Sequence, residues 1–277
     1  AEKLKDVDMI ILSHAHIDHS GNLPTVVKKG FRGPIYTSLA TADLCSIMLR
    51  DSARIQEKDW EYMHEQSTGL VSDEPLYTED DAIEVGKLFI GLPYDTAKEI
   101  SPGVSLTLHN AGHIIGSALV ELTITENGKT TKLGFTGDLG RKAMPIIKDP
   151  YQWTELDYLI TESTYGGRLH DNYQEVEDKL LPVIHEAIAK RSKIIIPAFA
   201  VERTQEIIYH LNLLQKKAKI PCLPIYVDSP LAINATDIFR RHPECFDQET
   251  YQSFLNEKED PFGFGCLHYI HTADESK

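Results

Sequence analysis

Residues 7–12 (VDMIIL) form a short apolar run that gives way at once to SHAHIDHSG. A run of that length, bounded by polar residues, predicts a buried strand ending at Ser13. The next positions hold His14, His16, Asp18 and His19. Imidazoles side by side make a poor core, so this loop constrains the chain to a fold that collects strand-end loops around one point. Past a strand end, residues two apart point the same way, so His14 and His16 can reach one ion. A turn then aims Asp18 and His19 at a second position. Nitrogen and carboxylate donors suit Zn²⁺, and also Mn²⁺ or Fe.

Two histidines and an acid do not close such a site, so further donors must come from afar. His113 stands in HNAGHIIGSALVEL, between Gly112 and Gly116, which predicts a tight loop before a strand. Asp138, in GFTGDLGR, follows a predicted strand, and Gly137 and Gly140 permit a sharp turn there. His109 sits four residues before His113 and reads as structural. The histidines at 64, 170, 185, 210, 242, 268 and 271 read as helix-face or surface residues.

The 277 residues can bury one or two cores, and 42% hydrophobic with 25% charged residues fits an ordinary globular chain. The apolar runs are too short to cross a bilayer, and a cytoplasmic location without membrane contact is expected. Cys45, Cys222, Cys245 and Cys266 form no C-x-x-C pair and read as free thiols of a reducing compartment. A net charge of −14 argues against a broad cationic surface for polyanions but not against a local cationic groove.

Along the chain, a helix is expected over 23–29, a strand over 34–38, and one or two helices over 39–66. Leu44, Ile47, Met48 and Ile55 are that stretch's candidate inner face. TEDD at 78–81 predicts a capped helix through Leu88. Strands over 119–125 and 132–136 flank Asn127-Gly128, a hairpin signal. A strand over 156–161 comes next. Beyond it the rhythm becomes helix 174–190, strand 193–197, helix 201–217, strand 224–228 and helix 231–241, which implies a parallel sheet.

The order H-x-H-x-D-H, glycine-flanked His and strand-end Asp resembles the metallo-β-lactamase superfamily. ITESTYGGR (160–168), PAFAVERTQEIIY (197–209) and YVDSPLA (226–232) resemble its β-CASP branch of nucleases, in the prokaryotic RNA-processing form. The likeness runs from Asp6 to about Glu275. It implies an α/β fold: an incomplete αββα metallo-β-lactamase sandwich over 1–170, then part of an inserted β-CASP domain with a parallel sheet over 171–277. It also implies a two-metal ribonuclease. His14, His16 and His113 would hold one ion, Asp18 and His19 the second, and Asp138 would bridge. The ions would be divalent, with Zn²⁺ preferred. Asp18 would also orient the attacking hydroxide, and Glu162 would support a catalytic histidine further along the chain.

Arg203 and Ser229, each at a helix start after a predicted strand, are candidate phosphate contacts. Glu202 departs from the glycine that relatives carry before this arginine. RNA is the expected partner, with no membrane and with a homodimer left open. A DNA-directed nuclease, a hydrolase of small esters or thioesters, and a silent scaffold subunit are the competing readings. The opening residues AEKLKDVD read as the middle of a domain. A general acid and a last metal ligand would lie past Lys277, so these 277 residues alone are expected to be inactive.

Overall fold

The computed structural model describes residues 4, 6–66, 74–169, 175–256, 260–272 and 274–277. His170 lies outside the described residues. The chain divides into two compact units, 1–142 with 149–162, and 143–148 with 163–277.

The first unit is built on two sheets. β1 (Ile10–Ile11), β2 (Ile35–Ser38) and β3 (Phe89–Leu92) run parallel, in that order. β4 (Lys98–Ser101), β5 (Val104–Asn110), β6 (Ala118–Glu126) and β7 (Lys129–Phe135) form an antiparallel meander, and β8 (Tyr158–Ile160) joins β7 in parallel. The expected hairpin is present: Glu126 pairs with Lys129, and Asn127 and Gly128 both take the positive φ that a two-residue turn of this hand needs.

Tyr36 and Leu92 of the first sheet meet Leu106, Leu108, Ala118 and Val120 of the second in one buried cluster. All four β2 residues are buried, so this central parallel strand is covered on both faces. Helices α1 (Ile17–Ser20), α2 (Leu23–Lys28), α3 (Leu39–Gln66) and α4 (Glu79–Gly86) complete the unit. α3 is a single helix of 28 residues. Leu44, Cys45, Leu49 and Ala53 form its buried stripe, whereas Ile55 is exposed and is not on the inner face. Spacing from Leu49 explains this, since 53 completes the i, i+4 step and 55 turns away. α4 starts with the expected box, Thr78 and Asp81 capping each other's backbone, but ends at Gly86.

The second unit contains α5 (Val176–Lys190), α6 (Arg203–Lys216), β9 (Ile225–Val227), α7 (Pro230–Arg241), α8 (Gln248–Asn256) and β10 (Leu267–Tyr269). β9 and β10 pair in parallel, Ile225 opposite Leu267. Ile184, Leu211, Leu214 and Ile220 form one core cluster, and Phe239, Phe246 and Phe262 stack edge-to-face in another region.

Two expectations fail here. Residues 193–197 form no strand; Ile195 is 89% exposed and, among the described residues, no strand lies alongside. An apolar run needs a hydrogen-bonded neighbour to become a strand, and periodicity does not report the neighbour. The cysteines are not all free either. Cys222 and Cys266 form a disulfide, because the parallel β9/β10 pair brings the residues before each strand to a Cα separation of 5.8 Å. Cys45 and Cys245 are buried and lie outside that bridge.

Candidate metal centre

The first loop is pinned from below. The Leu12 amide donates to the Tyr36 carbonyl, Thr37 Oγ1 to the Leu12 carbonyl, and the Ala118 amide to the Ser13 carbonyl. His14 therefore leaves the sheet at a fixed point, with its ring buried. His16 stands at the N-cap position of α1, and Ser20 Oγ donates back to the Ala15 carbonyl, so the helical turn hands His19 to the same side.

His113 comes from the loop between β5 and β6. Ser117 Oγ accepts from the amides of both His113 and Ile114, while Ser38 Oγ and Thr41 Oγ1 donate to the Gly116 carbonyl. Asp138 follows β7 in a turn clasped on three sides. A Cβ on Gly137 would stand 2.6 Å from Ser13 Oγ, and one on Gly140 would stand 1.6 Å from the Gly112 carbonyl oxygen. The Gly140 amide donates to the Ala111 carbonyl, and the Leu139 amide to the Glu162 carboxylate at 2.8 Å. The turn bearing Asp138 thus rests directly on the loops bearing His14 and His113.

These elements bring His14, His16, His113 and Asp138 together, with one donor atom from each lying within 4.8 Å of the others. His14 Nε2 is 3.2 Å from His16 Nδ1, which is 3.1 Å from His113 Nε2. Asp138 Oδ2 is 3.4 Å from His113 Nε2 and 3.7 Å from His14 Nε2. A tetrahedron with metal–donor bonds of about 2.0–2.1 Å has edges of about 3.3 Å, so the donor set fits an ion of zinc's kind. The other carboxylate oxygen, Oδ1, is 3.1 Å from His19 Nε2. Asp138 therefore divides its two oxygens between two donor groups. Asp18 reaches His19 at 3.6 Å, and its side chain is 74% exposed.

Burial, reinforced by the neighbouring rings of His19, His16 and His113, pushes the His14 pKa down to about 2. Burial and then His16 push His113 down to about 4, against the opposing pull of Asp138 and Glu162. Both rings are neutral at pH 7, the form in which imidazole binds metal.

His109 stays outside the donor group. Its ring stacks on Tyr151 at 3.9 Å, and Nδ1 meets Asp95 Oδ1 at 2.6 Å. Arg203 and Ser229 lie in the second unit. Arg203 opens α6 and its guanidinium donates to Glu206; Ser229 caps α7 by accepting from the Ala232 amide. Sequence reading passed over Ser13, Ser117 and the Gly112–Gly140 contact. The first was visible as a hydroxyl next to His14; the third depends on two segments meeting in space.

Residues 1–130 match a metallo-β-lactamase superfamily domain, and residues 204–277 match a Beta-Casp domain. Ribonuclease TTHA0252 of Thermus thermophilus is 33% identical over 273 residues, covering 99% of this chain and 58% of that protein. Transcription termination factor FttA of Pyrococcus abyssi is 37% identical over 277 residues, and that of Thermococcus kodakarensis 38% over 266, covering 97% and 92% of this chain and 40% and 38% of theirs. The chain thus spans between 38% and 58% of the length of these relatives. No helix among the described residues is long and apolar enough to cross a membrane. With one family at its start, the other at its end and full-span relatives between, the chain belongs to the β-CASP branch of the metallo-β-lactamase superfamily.

Proposed function

We propose that this chain forms the metal-binding part of a hydrolase that cuts RNA phosphodiester bonds. The observation that carries the reading is the donor set His14, His16, His113 and Asp138, whose donor atoms lie within 4.8 Å of one another, with the second Asp138 oxygen turned to His19. Two divalent ions, Zn²⁺ foremost, are the proposed cofactors. His14, His16 and His113 would hold one, Asp18 and His19 the other, and Asp138 both. When bound, such ions supply an activated water at neutral pH and charge neutralisation for the phosphate oxygens.

The chain's own residues supply the rest. The neutral rings of His14 and His113 present lone pairs without first losing protons. Asp18, the most exposed carboxylate of the group, accepts a proton from the attacking water and orients it. Glu162 holds the Leu139 amide and with it the Asp138 turn, and it is the proposed support for a catalytic histidine. In the second unit, Arg203 presents a half-exposed guanidinium beside Glu206 as a phosphate contact. The Ser229 hydroxyl accepts the cap bond and can still donate its proton to a phosphate oxygen. Residues 1–170 are proposed as the hydrolase domain and 171–277 as part of the β-CASP domain. The naming of one relative as a ribonuclease supports RNA over small esters.

The test is cleavage of 5′-labelled RNA and matched DNA by the full-length protein, with metal analysis of the same sample. RNA cut in proportion to bound metal is expected. Intact RNA while a thioester turns over would overturn the reading.

A further inference from the structure

An imidazole can present either nitrogen to an ion, and this site uses both kinds: His16 faces the cluster with Nδ1, His14 and His113 with Nε2. Something must set the choice for each ring. For His14, water cannot, because the ring is buried. Among the described residues, the partner on its far side is Ser13 Oγ, 3.1 Å from Nδ1. Ser13 is itself buried, and its carbonyl is tied to the Ala118 amide, so the hydroxyl has a fixed origin. Its position is also walled. Gly137, at φ +54°, is the one residue type that leaves room, since a Cβ there would lie 2.6 Å from Ser13 Oγ and 2.8 Å from Ser13 Cβ.

We propose that Ser13 is a positioning residue for the metal centre: its hydroxyl oxygen accepts a hydrogen bond from the His14 Nδ1–H and so holds the ring with the Nε2 lone pair facing the ion. The inference rests on the metal-site reading given above. Its chemistry is that of an outer partner which fixes tautomer and ring angle, and loss of such partners typically lowers metal affinity by about 10–100-fold. Gly137 extends the effect, since the turn carrying Asp138 closes over the hydroxyl and locks it against the ring.

The test compares Ser13→Ala, His14→Ala and the parent in the full-length protein. Zinc affinity is measured by competition with a chromophoric chelator, and thermal stability is measured on the metal-free forms. Ser13→Ala is expected to bind zinc about 10–100-fold more weakly with little change in metal-free stability, and to shift the visible spectrum of the cobalt-loaded protein. Unchanged affinity in Ser13→Ala, with affinity lost in His14→Ala, overturns the role of Ser13 alone. Unchanged affinity in both overturns the metal-site reading itself. If Ser13→Ala does not fold, long-range proton–nitrogen NMR of the zinc-loaded parent decides: a protonated, exchange-protected His14 Nδ1 is expected, and a protonated Nε2 refutes the proposal.

Discussion

Replacing Gly140 by alanine adds one methyl group where the loops carrying His113 and Asp138 touch. The new carbon would sit 1.6 Å from the Gly112 carbonyl oxygen, 1.9 Å from its carbon and 2.6 Å from the His113 amide nitrogen. All three are backbone atoms, so no side chain can rotate away. Real carbon contacts essentially never fall under 3.0 Å, so the loops must part by about 1.4 Å. Separation breaks the bond from the Gly140 amide to the Ala111 carbonyl, worth about 1 kcal/mol, and adds roughly 1–3 kcal/mol of overpacking. For a chain of this size that lowers Tm by roughly 5–10 °C. The larger effect falls on the site. His113 and Asp138 ride on the two parted loops, and their donor separation, 3.4 Å in the parent, must widen. Misplacement by about 1 Å costs about 100-fold in rate. The assay is metal content after dialysis at a fixed free-zinc level, followed by single-turnover cleavage of labelled RNA. Gly86→Ala is the control, because nothing lies within 4 Å of the added carbon. It should leave the metal content alone and stabilise by up to about 1 kcal/mol. A Gly140→Ala protein with parental Tm and metal content would refute the clasp.

Other perturbations follow from the same contacts. His14 and His113 are neutral when folded but titrate near 6.5 when unfolded, so the unfolded chain binds more protons below that value. Metal-free stability should therefore be full above about pH 6.5 and fall by a few kcal/mol as pH drops toward 4; urea midpoints across that range check it, and His113→Gln should flatten the slope. Burial pushes the Cys45 thiol up to about 12, and Cys245 is buried, so iodoacetamide at pH 8 should label neither in the folded protein. The Cys222–Cys266 bridge spans 44 residues, for which loop closure gives roughly 4 kcal/mol; Cys222→Ser or reduction should lower the urea midpoint accordingly, and an unchanged midpoint would refute it. Glu202 occupies φ 70°, ψ −60° in a three-residue turn closed by the Arg203 amide on the Val201 carbonyl. That is strained for any residue with a side chain, so Glu202→Gly should raise stability by about 1 kcal/mol or more, read as Tm.

Much of the site was legible because its chemistry is local. Four donors within six positions, and a His and an Asp each flanked by glycines, name themselves without knowledge of the fold. The capped start of α4 and the Asn127-Gly128 hairpin were legible for the same reason: their hydrogen bonds close within a few residues. What escaped was set by partners distant in sequence. Residues 193–197 have a strand's composition but no neighbour in the described structure. Ile55 has the right character on the wrong face of a helix whose inner stripe is set by Leu44, Cys45, Leu49 and Ala53. Cys222 and Cys266 lie too far apart for spacing to pair them, and it is the parallel register of β9 and β10 that does so. Gly140 reads as a turn residue, and only the folded chain shows that it touches Gly112.

The meander also sets an order of events. His113 and Asp138 lie at the ends of β5–β6 and β6–β7, strands joined by short connections, so those two donors are brought near each other by local pairing. The loop carrying His14, His16 and His19 must close across about a hundred residues to meet them, and long-range closure is the slower step. The full donor set is therefore expected to be completed late, after the antiparallel sheet has formed. Refolding followed by pulsed amide exchange should show β5–β7 protected before β1, at a rate independent of zinc; zinc-accelerated protection of β5–β7 would contradict this order.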